Sequence, residues 1–84
     1  MTVGEFEQKV WELEGIRVVI RAKWGAEVEA FDWVKCSKED IRLSEFCANR
    51  LDSRLGGLEY MIVDGHGSYP NGNTKVLSVR NSYT

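Results

Sequence analysis

The stretch IRVVIRAKWGAEVEAFDWVKC, residues 16–36, decides which fold the sequence predicts. Its first half alternates between two sets of side chains with a period of two, which is the repeat of a pleated strand. If the three residues Trp24-Gly25-Ala26 close a turn, the two halves form a β-hairpin. That register places opposite charges and large aromatic side chains across from each other, in the pairs Lys23–Glu27, Arg21–Glu29, Val19–Phe31 and Arg17–Trp33.

The outward face of this predicted hairpin is the first candidate for a partner-binding site. It carries Arg17, Arg21, Phe31 and Trp33, and arginine and aromatic side chains contribute much of the energy of protein interfaces. Two alternatives stay open. Cross-strand charge pairs also stabilise an ordinary exposed sheet, and a bulge near Asp32 would move Phe31 or Trp33 into the core.

Two helices are predicted, one on each side of this hairpin. Thr2 followed by Glu5 has the spacing of a capping box, and apolar residues then recur every three or four positions, so the first helix should run to Glu14 and end at Gly15. Ser37 and Asp40 repeat the capping-box spacing and predict the start of a second helix. Its apolar side would consist of Leu43, Phe46, Cys47, Leu51 and Leu55, and Gly56 and Gly57 would end it.

Two further apolar runs, 58–63 and 75–80, predict a second hairpin joined by the long Gly-rich connection 64–73. The sequence therefore predicts an α+β fold in the order helix, hairpin, helix, hairpin. We expect one domain, residues 1–84, in which two helices pack on one face of an antiparallel sheet of about four strands. The other face of such a sheet can lie in water. Pairing of an edge strand such as 75–80 with a second copy, to make a homodimer, stays open.

The composition favours a soluble cytoplasmic protein. Hydrophobic residues make up 43% of the 84 residues and the net charge is −2, which gives no general attraction for nucleic acid. No apolar run approaches the length that spans a bilayer. Cys36, Cys47 and His66 are too few for a zinc site. We expect both cysteines to be reduced, and no metal or cofactor to be bound.

The outer side of the first helix is a second candidate binding surface. Glu7, Trp11 and Glu14 follow one another at helical spacings of four and three, so they lie along one line. A solvated charged face is the ordinary interpretation of such a row. A carboxylate row that contains a tryptophan would also suit a basic groove on another protein. Trp11 lies beside the apolar stripe, and we expect it to be half buried.

The sequence favours a binding protein over an enzyme. His66 stands in the Gly-rich connection near Asp64 and Ser68, but a catalytic histidine needs a nucleophile and an orienting group held within hydrogen-bond reach. A loop with three glycines is poorly suited to hold them. A small toxin or hydrolase that uses His66 is the least favoured alternative.

The chain resembles the small phage-encoded anti-CRISPR proteins. It is short and acidic, with a capped helix over 2–14, the strand GIRVVI over 15–20 and no enzyme motif. This likeness is one of kind over the whole chain, and it assigns no residue a role. It implies an inhibitor in the host cytoplasm that binds a CRISPR effector complex and blocks target DNA binding or nuclease recruitment without chemistry.

A small nucleic-acid-associated regulator is the main alternative. Its binding site would be the strand face that carries the arginines and aromatics, since some sheets stack bases on aromatic side chains and contact phosphates with arginines. Glu27 and Glu29 would cancel much of that attraction, so we expect a protein partner and no direct binding of nucleic acid.

Overall fold

The chain forms three helices and one two-stranded sheet, and a computed structural model describes every residue from 1 to 84. Helix α2, residues 43–55, is continuous but changes its hydrogen-bonding pattern twice: α-helical Leu43–Phe46 is followed by π-helical Cys47–Asp52 and α-helical Ser53–Leu55. The other elements are α1 (Val3–Glu14), β1 (Arg17–Ile20), β2 (Tyr60–Val63) and α3 (Val76–Asn81).

Helix α1 confirms the prediction for the start of the chain. The Thr2 hydroxyl accepts a hydrogen bond from the Glu5 N–H at 3.2 Å, and the Glu5 carboxylate accepts one from the Thr2 N–H at 2.9 Å. This reciprocal pair is a capping box. Gly15 ends the helix in the left-handed conformation, with φ of 66°, and its N–H donates to the Trp11 carbonyl.

The hairpin predicted over residues 16–36 is wrong. Strand β1 pairs antiparallel with β2, so that Arg17 lies opposite Val63 and Ile20 lies opposite Tyr60. The chain after β1 instead runs to the start of α1. The first N–H groups of a helix have no partner within it, and here they donate to carbonyl groups of this segment. The Val3 N–H donates to the Ala26 carbonyl at 2.8 Å and holds the segment there.

The second predicted hairpin is also wrong, although its first strand is present as β2. Residues 75–80 belong mainly to helix α3, in which Val76 and Val79 are three residues apart and both fully buried. That spacing places the two valines on one side of a helix, whereas it would place them on opposite faces of a strand. The sheet therefore has two strands and not four, and the predicted edge strand does not exist.

The second helix begins later than predicted. It starts at Leu43 with Arg42 as its N-cap, and no side chain caps it. Ser37, the predicted cap, is buried and hydrogen-bonds to Glu14 instead. The predicted apolar side of the helix is confirmed for Leu43, Phe46, Leu51 and Leu55, which are all buried, while Cys47 is partly buried.

One hydrophobic core joins all five elements. Val18 and Ile20 from β1 and Ile62 from β2 face this core, because alternate residues of a strand lie on the same face. Phe31 joins them from the long connection between β1 and α2. The full cluster is Val3, Phe6, Val10, Ile16, Val18, Ile20, Phe31, Leu43, Phe46, Leu51, Leu55, Ile62, Val76 and Val79.

A buried carboxylate joins the three helices beside this core. Glu14, at the end of α1, is only 1% exposed. One of its carboxylate oxygens accepts from Arg80 of α3 at 2.8 Å, and the other accepts from Arg50 of α2 at 2.6 Å. The backbone N–H and the hydroxyl of Ser37 donate to the same two oxygens, at 2.8 and 3.2 Å.

The two arginines make further bonds around this carboxylate. Arg80 also donates to the main-chain carbonyls of Glu14 at 2.6 Å and Ser37 at 3.1 Å, and Arg50 donates to the Lys35 carbonyl at 2.6 Å. A buried charge is tolerated when it is paired and hydrogen-bonded. We call Glu14, Ser37, Arg50 and Arg80 the ionic cluster.

Replacing Glu14 by glutamine should lower the free energy of unfolding by about 3 kcal/mol, because it leaves two partly buried guanidinium groups without a counter-charge. Urea denaturation followed by circular dichroism measures the loss. Glu12→Gln is the matched control, since Glu12 is exposed on the same helix, and it should change stability by less than about 0.5 kcal/mol. Equal stability of the two variants would contradict the role assigned to Glu14.

Candidate binding surface

The outer face of the two-stranded sheet carries an apolar pair. Arg17 and Val19 lie on the exposed face of β1, and Met61 of β2 lies directly opposite Val19. Val19 is 46% exposed and Met61 is 48% exposed. Cross-strand neighbours of this kind contact each other, so the two side chains form one apolar spot in the centre of this face.

Trp11 borders this face from helix α1. Its indole ring meets the ring of Tyr83 edge to face, with centroids 5.1 Å apart, and the Arg17 guanidinium lies 5.6 Å from the indole centroid. Such a cation–π contact holds the arginine side chain over the ring. Trp11 remains 39% exposed, which confirms the prediction of a half-buried tryptophan.

Tyr83 fixes this corner of the surface through its hydroxyl. The hydroxyl accepts from the Arg17 N–H at 2.9 Å and donates to the Val63 carbonyl, so it bridges the ends of the two strands. Burial raises the pKa of Tyr83, and the phenol therefore keeps the proton that it donates. The aromatic pair and the strand ends thus form one rigid unit.

Trp24 is the most exposed tryptophan near this face, at 75%. Its ring lies against the main chain at Gly4, where a Cβ atom would come within 2.4 Å of the ring. The Gly4 N–H also donates to the Trp24 carbonyl at 3.0 Å. Glycine is the residue that permits so close an approach, so Gly4 positions the indole on α1 while most of the ring stays in contact with solvent.

These side chains form one continuous surface. Trp11, Arg17, Val19 and Trp24 line a groove between α1 and β1. Val19 and Met61 line a second concavity that crosses the sheet. Because Val19 belongs to both, the groove and the sheet face are contiguous. We call these five residues the tryptophan–sheet surface.

Four of the predicted site residues lie in or beside this surface: Trp11, Arg17, Arg21 and Glu7. Trp11 and Arg17 belong to it. Arg21 lies at its border, where its ion pair is with Glu59 at 3.3 Å and not with Glu29 as predicted. Both of these side chains are largely exposed, and such pairs contribute little to stability.

Glu7 lines the same groove but is bound to the main chain. Its carboxylate accepts a hydrogen bond from the Ile20 N–H at 2.8 Å. That N–H lies on the edge of β1 away from β2. Glu7 therefore occupies a main-chain donor that a further strand would otherwise use, and it ties α1 to β1.

Phe31 and Trp33 do not share a face with Arg17, which corrects the predicted hairpin face. Phe31 is 3% exposed and packs edge to face on Phe6, with ring centroids 5.4 Å apart. Trp33 is partly buried, and the guanidinium of Arg54 lies 4.4 Å from its ring centroid. The chain carries both aromatics inward because residues 26–28 bond to the chain start and not to β1.

The prediction that Glu14 lies on a solvated acidic row is wrong, since its carboxylate is the centre of the ionic cluster. Sequence reasoning also missed Trp24 and Met61 as surface residues. The period of two in β2 places Met61 on the face opposite Ile62, which was a usable signal. A glycine at position 4, inside a helix, signals a close approach such as that of Trp24.

A cysteine, a tyrosine and an aspartate meet below β2. Tyr60 donates through its hydroxyl to Asp52 at 2.6 Å, and Cys47 lies beside it. Burial raises the pKa of the Cys47 thiol, and burial together with the hydrogen bond to Asp52 raises the pKa of Tyr60. Both groups therefore keep their protons at neutral pH, and a protonated thiol is a poor nucleophile.

His66 and the two cysteines are the other polar groups that the sequence singled out. The His66 main-chain N–H donates to the Asp64 carboxylate at 2.9 Å, which closes a local turn. Cys36 and Cys47 are free thiols. No three His, Cys, Asp or Glu side chains are grouped so that they would hold a metal ion.

No protein-family model, curated protein or solved structure matches this chain. None of its helices combines the length and the apolar character needed to cross a membrane.

Replacing Gly4 by alanine should displace the Trp24 ring, because the added methyl group would overlap it. In ¹H–¹⁵N spectra the Trp24 indole resonance should then move toward the position of a free indole. Gly72→Ala is the matched control, since a Cβ atom at that position would meet Ser44 and not Trp24. An unchanged Trp24 resonance in Gly4→Ala would show that the ring does not rest on α1.

Proposed function

We propose that this protein acts by binding another protein through the tryptophan–sheet surface, without catalysing a reaction. The observation that carries the proposal is the exposure of two positioned tryptophans beside the Val19–Met61 pair. Tryptophan is among the residues that contribute most to binding energy. Exposed apolar side chains that are grouped together commonly mark interaction sites.

The charges of the surface favour a partner that presents a carboxylate to Arg17. Arg17 stacks on Trp11 but has no acidic side chain within 4.0 Å, so its guanidinium is available to a ligand. Arg21 and Glu59 at the border offset each other. An arginine held by an aromatic ring is well placed to form a bidentate pair with a carboxylate.

Binding of nucleic acid is less well supported than binding of protein. The strand face that would have stacked bases is not assembled, because Phe31 lies in the core and Trp33 packs against Arg54. Glu7 lines the same groove as Arg17, and Glu59 is paired with Arg21 at the border of the surface. These carboxylates reduce the attraction for phosphate.

The resemblance to anti-CRISPR proteins suggests the class of partner. We propose a CRISPR effector complex, with inhibition by occupation of a protein surface needed for target DNA binding or nuclease recruitment. Gel filtration of the protein with a panel of effector complexes should show co-elution with at least one of them and loss of its binding to target DNA. Absence of both effects across the panel would contradict this choice of partner.

In such a complex, Trp24→Ala should weaken binding about 30-fold, the effect of removing a side chain worth about 2 kcal/mol. Isothermal titration calorimetry measures the change. Tyr69→Ala is the control, because Tyr69 is also a highly exposed aromatic, at 66%, but lies in the connection 64–73 outside the surface. A larger loss for Tyr69→Ala than for Trp24→Ala would place the binding site elsewhere.

A further inference from the structure

We propose that the free edge of β2 pairs with the same edge of a second copy of this chain, so that two chains form one four-stranded antiparallel sheet. The sheet of a single chain has only two strands, and β2 is bordered by β1 on one side alone. The proposal does not depend on the proposed function.

The hydrogen bonds of the sheet show which main-chain groups lie on the free edge. The Arg21 N–H donates to the Glu59 carbonyl at 2.8 Å, just beyond the strands. Hydrogen-bonded pairs alternate along an antiparallel ladder, so Val19 and Met61 are the next bonded pair. The N–H and C=O groups of Tyr60 and Ile62 therefore point away from β1. They make no hydrogen bond to a loop or a side chain.

The two edges of the sheet differ in a way that supports this assignment. On the β1 edge, Glu7 occupies the Ile20 N–H. The β2 edge has no such carboxylate. Natural proteins protect free edges with charged residues, prolines or bulges, and β2 consists of Tyr60, Met61, Ile62 and Val63, without any of these. An unprotected edge of this kind is suited to pairing with another strand.

The sequence of β2 matches a two-fold axis at Met61. Antiparallel pairing about this residue places Tyr60 opposite Ile62 of the second copy, and Ile62 opposite its Tyr60. These are the residues whose main-chain groups face outward, so each pair exchanges two hydrogen bonds. The two Met61 side chains meet at the axis as a non-hydrogen-bonded pair, where side chains come closest.

No like charges meet across the two chains in this register. The outer face acquires a central apolar row, in which the Val19–Met61 pair of one chain continues into the same pair of the second copy. A parallel row of four side chains lies on each side of it. Across the four strands this row consists of Arg17 and Val63 from one chain, then Glu59 and Arg21 from the other. Each Glu59 thus keeps its ion pair with Arg21 of its own chain and faces Val63 of the other chain, so no like charges are adjacent. This self-matching pattern is why we choose a second copy as the occupant.

Sedimentation equilibrium of the unmodified protein tests the proposal. The expected mass is twice the 9.6 kDa of one chain, falling to that of one chain on dilution. Met61→Lys should give the mass of one chain at every concentration, because it places two ammonium groups at the axis. Val19→Lys is the matched control. Val19 is nearly as exposed on the same face but one strand away from the edge, so this variant should keep the mass of two chains.

Amide hydrogen exchange on the unmodified protein gives an independent test. The Tyr60 and Ile62 amides should exchange more slowly at high than at low protein concentration, whereas the Ile20 amide, bound to Glu7, should not change. A one-chain mass at high concentration, a two-chain mass for Met61→Lys, or equal exchange rates at both concentrations would each overturn the proposal. None of these results depends on the partner of the tryptophan–sheet surface, because each is measured on the protein alone.

Discussion

The buried carboxylate of Glu14 is the constraint on which the arrangement of the helices depends. A charge that is 1% exposed is stable only with its partners in place, and those partners come from 36 and 66 residues further along the chain. The contacts of Arg50 and Arg80 with Glu14 fix the positions of α2 and α3 relative to the end of α1. Gly15 then turns the chain directly into β1, so the ionic cluster also sets the position of the sheet relative to α1.

The surface that we propose for binding follows from this arrangement. Val18 and Ile20 of β1 face the core, which leaves Val19 and Arg17 on the opposite face. Trp11 lies three residues before Glu14 on α1 and therefore lies close to the start of β1, where Arg17 covers its ring. Tyr83, just after α3, joins the same corner. Residues that hold the domain together thus also position the side chains that a partner would contact.

Local patterns could be predicted from the sequence, and non-local pairings could not. The Thr2 capping box, the strand at 17–20 and the apolar side of α2 depend on spacings within a few residues. The strand that pairs with β1 cannot be identified from such spacings. Lys23, Glu27 and Glu29 fit the register of a hairpin, but Glu27 instead pairs with the ammonium group of Met1. Residues 75–80 fit a strand or a helix by composition alone; burial of Val76 and Val79 and the reach of Arg80 to Glu14 favour the helix. The exposure of Trp11 and Arg17 follows from local spacing in α1 and β1, whereas local spacing assigns Glu14 to solvent because its partners are distant.

Glu14 and Arg80 stabilise the fold through their contact with each other. A double-mutant cycle with Glu14→Gln and Arg80→Gln, measured by urea denaturation, separates that contact from the other effects of each change. We expect a coupling energy of about 2 kcal/mol, in the upper part of the range for residues in one network. Additive effects of the two substitutions, to within about 0.5 kcal/mol, would contradict it.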